Sequence, residues 1–451
     1  LKNKQALALL FTANGISGFA QGVSMLAIPW YFAQQSLSSR FNLMYAFVTF
    51  CTLFWGLFAG SLVDRFPRKG VFLTTNLVEG TVVLAVAALG FWQQALPWYM
   101  VMLVFGVTIF GYQLHYPNLY AFAQEITKKG NYQRVTSMLE IVGQSTNVGA
   151  GLLAAILLEG VDWQQTLTLG SLEIPLAIHI PRWTIWEIFA LDGATYFISS
   201  CLIALIRYVP QTQFEIEMGN VFKRIRTGIS FLQQNRAILL FGLLSYTVFV
   251  VVLVELHAVA PIYITNYLQE GGGVLGTMEV LYAIGALSAG IGVRWLFRSG
   301  EVVKAVMLLM LLAIVSMGVL AVTRSVVIFL GVGLLIGFSN AGIRVLRVAY
   351  LFEHIPNNII GRTNSVFSMA NILMRVGFIL LFSHAFFNQG ANIAWAYSIM
   401  ALFILIALVL LALQYFKPSL DKTGGISASS AAERTRPLPK LNRNPSSRAS
   451  G

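Results

Sequence analysis

Twelve long apolar runs alternate with short polar links along the chain. They cover roughly 5–33, 41–63, 70–92, 97–120, 133–158, 184–208, 238–267, 274–297, 301–322, 325–351, 362–388 and 391–416. At about 1.5 Å per residue, each crosses a hydrocarbon layer of about 30 Å. The pattern predicts an all-α membrane fold of twelve transmembrane helices. The links differ in charge. Even-numbered links gather basic residues: Arg65, Arg68 and Lys69; Lys128, Lys129 and Arg134; Lys223, Arg224 and Arg226; Arg294, Arg298 and Lys304; Arg362. Odd-numbered links nearly lack them, with Arg40, Arg182 and Arg324 as exceptions. Basic loops stay in the cytoplasm. The expected location is therefore the cytoplasmic (inner) membrane, multi-pass, with both termini cytoplasmic.

Three segments do not read as spans. The 159–183 link alternates with period two around Gly170-Ser171, which suggests a short β-hairpin; an irregular loop is the alternative. Within the 209–237 linker, Val221, Phe222, Ile225, Ile229 and Leu232 share one helical face, which predicts an amphipathic helix on the membrane surface. Residues 417–451 are rich in Ser, Pro, Arg and Ala and read as a disordered cytoplasmic tail. The expected domains are a six-helix half over 5–208, the linker 209–237, a second half over 238–416, and the tail.

Composition supports this reading. Hydrophobic residues make up 57% of the chain and charged residues 11%, against roughly a quarter charged in soluble domains. The net charge of +12 is scattered over loops and tail, not gathered into a stripe, so nucleic acid is not an expected partner. Cys51 and Cys201 lie inside apolar runs and read as inert buried thiols. The first run is too long for a signal peptide. No metal-ligand spacing, nucleotide-binding glycine loop or nucleophile–base set occurs. Neither a metal, a cofactor nor an enzyme activity is expected.

The halves repeat. Pro29 and Tyr31 match Pro261 and Tyr263 at a shift of 232; Glu125, Arg134 and Ser137 match Glu353, Arg362 and Ser365 at 228. Repeated halves are a common way to build a central site open to alternate sides. The densest charge cluster, Gly60 to Lys69, joins the second and third runs.

Here the chain resembles the major facilitator superfamily, whose second-to-third loop has a Gly-x-Leu-x-Asp-Arg-x-Gly-Arg-Lys signature. Gly60, Leu62, Asp64, Arg65, Arg68 and Lys69 match it; Pro67 replaces a glycine. The Asp-Arg-Phe-Pro-Arg form, Leu191-Asp192-Gly193, and Ile355-Pro356 before Gly361-Arg362 resemble the branch of enterobactin-type siderophore exporters and macrolide efflux proteins. The resemblance covers about 5–416. It implies two pseudo-symmetric six-helix halves (the major facilitator fold), and a conformational gate of Gly60, Asp64, Arg65 and Arg68. In that gate Asp64 would meet the N-terminus of the eleventh span. In the second half Arg294 stands where Asp64 stands in the first. The fourth-span arginine and the fifth-span proline of drug–proton antiporters are missing, which puts the usual form of that activity in doubt.

Ionisable groups inside spans are costly and so point to function. Arg375 lies deep in the eleventh span, and its repeat mate is Asn147. The pair reads as lining a central cavity; a structural ion pair is the alternative for Arg375. Glu255, His257 and Glu140 are candidate proton carriers. Glu255 and His257 point about 200° apart on a regular helix, so they form one site only if the helix is broken. Asn14 and Gln21 share a face of the first span and are further cavity candidates. His115, Asp192, Arg344 and Arg347 read as structural or as reaching the surface. The expected function is a secondary active transporter that exports an amphipathic small molecule, siderophore- or drug-like, by alternating access. The expected partners are that molecule, membrane lipid and protons as a coupling ion; the protein would act as a monomer. The alternative is transport of lysophospholipid or another lipid.

Overall fold

A computed structural model describes residues 4–127, 131–169, 172–208, 221–296, 302–356 and 359–416. Side chains at 60, 64, 140 and 294, among others, lie outside the described set. The helices are α1 (Lys4–Gln34), α2 (Ser38–Arg65), α3 (Arg68–Gln93), α4 (Trp98–Glu125), α5 (Tyr132–Glu159), α6 (Ile185–Ala204), α7 (Val221–Gln234), α8 (Arg236–Leu268), α9 (Gly272–Leu296), α10 (Val302–Leu320), α11 (Val326–His354), α12 (Ile360–Phe382) and α13 (Ala394–Tyr415). Between α5 and α6, β1 (Val161–Leu169) pairs antiparallel with β2 (Leu172–Ile180). The residues between the strands, the 417–451 tail and most of the linker before α7 lie outside the described residues.

Among the described residues, eleven of these helices contain segments long and apolar enough to cross a membrane. α2 carries the apolar run 41–63, and its 28 residues run between α4 and α12. Helices suit this chain because lipid offers the backbone no hydrogen-bond partners, and a helix satisfies its own. Local chemistry sets the ends. The Glu187 carboxylate accepts from Thr184 N at 2.6 Å and Oγ1 at 2.7 Å, fixing the start of α6. Lys69 Nζ donates to the carbonyls of Ala204 (2.7 Å) and Ile206 (3.0 Å) at its end. The signature loop is thereby tied to α6.

Within the first half, α6 packs on α1 and α3, and α5 packs on α1. Within the second, α11 packs on α9 and α10, and α10 on α13. The repeat noted in the sequence has a structural counterpart. Tyr31 Oη donates to Leu96 O at 2.9 Å, across to the link before α4. Tyr263 Oη donates to Leu320 O (2.8 Å) and Thr323 O (2.7 Å), across to the link before α11. Ser36 after α1 and Gln269 after α8 are both left-handed, at φ 54° and 59°.

The amphipathic helix α7 is docked on protein. Leu232 is buried beside Ile238, Leu351, Ile355 and Phe367, with Phe231 packed against them. Gly228 lies so near the backbone of Arg362 that a Cβ there would come within 2.6 Å of its carbonyl oxygen. Arg347, expected at the lipid surface, is instead buried. Its Nη1 donates to Ser245 O at 3.0 Å, and its guanidinium lies 3.6 Å from the centre of the Tyr246 ring. That stacking supplies the partner a buried cation needs.

Candidate functional site

The halves meet through two helix pairs, α5 with α9 and α2 with α12. Small residues allow the first contact. A Cβ on Gly276 would come within 2.5 Å of Ala155 N, and one on Gly151 within 2.9 Å of Gly276 O. Close approach of this kind is how helices associate where the solvent is itself apolar. At its edge, Glu159 Oε2 accepts from Gly273 N at 2.7 Å, a carboxylate on a helix N-terminus. In the second pair, Ser39 Oγ donates to Ser383 O. Asn42 Nδ2 reaches the carbonyls of both Ala258 (3.4 Å) and Phe382 (3.3 Å). These cross-half bonds all lie toward the end that carries the β-hairpin. On the same face of α5, nearer the other end, Asn147 is exposed; so is Leu287 on the matching face of α9.

One turn beyond Asn42, three polar groups from three helices converge. Tyr45 is on α2, His257 on α8 and Arg375 on α12. The Tyr45 and His257 rings are 5.9 Å apart, and Arg375 is near enough to act electrostatically on both. His257 Nδ1 bonds to Leu253 O at 3.2 Å; with the proton there, Nε2 is left as an acceptor. Arg375 is partly buried, its Nε has no hydrogen-bond partner, and no ion pair reaches it among the described residues.

The helix carrying His257 is broken. Glu255–Val259 and Tyr263–Leu268 are π-helical turns on either side of Pro261. Proline removes a donor and crowds the preceding turn, and a wider turn relieves both. The break leaves Glu255 and His257 facing different ways. Glu255, 3% exposed, accepts from Tyr397 Oη at 3.2 Å and lies near Glu279 inside the second half. His257 faces the first half.

The other expected residues are dispersed. Asn14 Oδ1 bonds to His115 Nε2 at 2.9 Å. Gln21 turns into the first half, where its Nε2 donates to Tyr196 Oη at 2.5 Å. Arg65 is exposed beside the Phe66 ring, and the Arg68 carbonyl accepts from Asn118 Nδ2 at 2.9 Å. The side chains of Asp64 and Glu140 lie outside the described residues. Sequence reasoning missed Asn42, Tyr45 and Glu159. Asn42 alone carried a signal, as an amide near the start of a spanning helix.

An unpaired guanidinium in such a place is a planar fork of donors suited to a carboxylate, phosphate or similar oxyanion. Three comparisons bear on what the arrangement serves. A family model described as Major Facilitator Superfamily matches residues 10–379. Macrolide efflux protein A of Streptococcus pyogenes is 23% identical over 289 residues, 62% of this chain and 64% of that protein. The protein of the same name from Enterococcus faecalis is 24% identical over 238 residues, 51% of this chain and 65% of that protein. The alignments thus span a little under two thirds of these relatives. Among solved structures, the nucleoside transporter NupG aligns with a TM-score of 0.65 at 10% identity, covering 91% of this chain and 99% of its own. A bacterial homologue of the iron transporter ferroportin aligns at 0.63 in its inward-facing state, with 15% identity and 90% and 98% coverage. In its outward-facing state the score is 0.51, with 16% identity and the same coverage.

Proposed function

Because the chain belongs to the Major Facilitator Superfamily, and so is a multi-pass membrane transporter and not an enzyme, we propose that it exports an amphipathic small molecule by alternating access. The cargo is siderophore- or drug-like and offers Arg375 an anionic or hydrogen-bond-accepting oxygen. The observation that carries this reading is Arg375 at the junction of the halves, without an ion-pair partner among the described residues and with His257 and Tyr45 beside it. A charge left without a partner at that depth is costly unless a ligand supplies one. The macrolide efflux relatives favour export and a drug-like cargo.

The hairpin end faces outward and the signature loop faces the cytoplasm. The conformation is then closed outside and open inside, in keeping with the better fit to the inward-facing neighbour. Protons drive export through Glu255, His257 and Glu140. The transporter works as a monomer in the inner membrane.

The test is uptake into inverted membrane vesicles of a radiolabelled macrolide and a ferric catecholate siderophore, with a pH gradient imposed or collapsed. Accumulation of either, lost on collapse, is expected. Unchanged accumulation on collapse removes proton coupling, and no accumulation of either removes this cargo class.

A second reading, transport of a lysophospholipid or other lipid, is favoured by one feature. Phe47, Phe50, Phe54 and Phe58 form an exposed stripe along α2, an apolar path beside the α2–α12 contact. Uptake of labelled lysophospholipid in the same vesicles, without macrolide or siderophore, would select it.

A further inference from the structure

Two acidic residues in the first half are each followed by glycine, Glu79-Gly80 on α3 and Asp192-Gly193 on α6. The glycines let the helices close on each other. A Cβ on Gly80 would come within 2.9 Å of Tyr196 Cβ, and one on Gly193 within 2.6 Å of Leu84 Cγ. Both carboxyls are thereby carried into the middle of the half. On α4, Gly111 leaves the space that the Glu79 carboxyl fills. The α1 helix contributes Gln21 and Ser24. Because Tyr196 Oη accepts from Gln21, its own proton is free for Glu79, which it adjoins. Tyr112 of α4 lies near both carboxyls.

The cluster is buried and short of partners. Asp192 is 0% exposed and Glu79 4%. Both Asp192 oxygens and Glu79 Oε1 lack a hydrogen bond of acceptable geometry. So does Ser24 Oγ, which is wholly buried and faces Asp192. Among the described residues no cation is at hand. The surrounding helices α1, α3, α4, α5 and α6 carry Lys or Arg only at the opposite end from the hairpin, as Lys4, Arg68, Lys69 and Arg134. Lys69 is already bonded to the end of α6. His115 on α4 is occupied with Asn14 and the edge of Phe72.

Two neighbouring carboxylates cut off from water and without a counter-charge cannot both stand ionised. One small cation between them removes the repulsion and occupies the orphaned oxygens together. We infer that the first half holds a binding site for one monovalent cation, a proton or Na⁺, between Glu79 and Asp192, with Ser24, Tyr196 and Tyr112 around it. The donors are hard oxygens. No third carboxylate, His or Cys joins them among the described residues, which disfavours a transition metal. The site is separate from Arg375 and from Glu255 and His257. It would give the first half a cation of its own.

The test needs no cargo, so it is independent of the transport reading. Wild-type protein in lipid nanodiscs is followed by infrared difference spectroscopy, first on a pH jump at fixed Na⁺, then on exchange of choline chloride for NaCl at fixed pH. A protonated-carboxyl band that responds, and is lost in both Glu79→Gln and Asp192→Asn, is expected. Response to pH alone identifies the proton; response to NaCl as well identifies Na⁺. If a variant fails to fold, wild-type protein is treated with dicyclohexylcarbodiimide, which labels protonated buried carboxyls. Peptide mapping should find the adduct on Glu79 or Asp192, severalfold slower with Na⁺ or at raised pH. Wild-type spectra with no such band, and no adduct at either residue, overturn the site.

Discussion

Arg375 is the residue whose chemistry is least explained by packing. It has a half-buried charge, a free Nε, and Tyr45 and His257 as neighbours. Replacing it by alanine should remove one charged hydrogen-bonding partner, about 1.5–3 kcal/mol, or roughly ten- to a hundredfold in cargo affinity. Arg375→Lys should recover only part of this, because a point charge does not reproduce the fork. Equilibrium binding of the transported compound to purified variants checks both. Tyr397→Phe should act differently. It leaves Glu255 Oε1 without its donor inside the second half, costs about 1–3 kcal/mol, and lowers the unfolding midpoint in detergent. Arg375 was legible in the sequence because a cation deep in a span has few innocent explanations. Gln21 and Glu255 were legible as polar, but a helical face does not reveal which neighbour it meets. Only the packing of α1 on α6, and of α8 on α13, decides that.

The helices themselves were legible because a span needs about twenty apolar residues, a signal that survives errors of several residues at each end. The break in α8 was legible only as Pro261; its π-helical turns depend on how α8 meets its neighbours. The contacts that shut the hairpin end were not legible, since Gly151 and Gly276 look like many other glycines until two helices cross at them. They can be tested. With Cys51 and Cys201 replaced by serine, cysteines at 39 and 383 should crosslink under mild oxidation, as Ser39 and Ser383 are already bonded. Transport should stop and return with reductant. Gly276→Leu should do the reverse, because its side chain would enter the backbone of α5; crosslinking at 39 and 383 should then slow severalfold. Glu159→Ala removes the carboxylate from the start of α9. At about 0.5–2 kcal/mol for such a cap, it should shift the same crosslinking rate in the same direction.

For the whole molecule, the repeat in sequence announced two halves, and the matching bonds of Tyr31 and Tyr263 give that repeat a physical form. Which end is closed could not be read from the chain, because both states use the same residues and differ by only a few contacts. Arg375 is then the point where cargo sits while the halves exchange open ends. The most direct measurement is uptake of the transported compound into inverted vesicles by wild type and by Arg375→Ala, with equal amounts of each protein shown to be folded by gel filtration. Uptake by the variant should fall at least about tenfold while the 39–383 crosslink still forms. Uptake by folded Arg375→Ala at the wild-type rate would contradict this placement of the cargo.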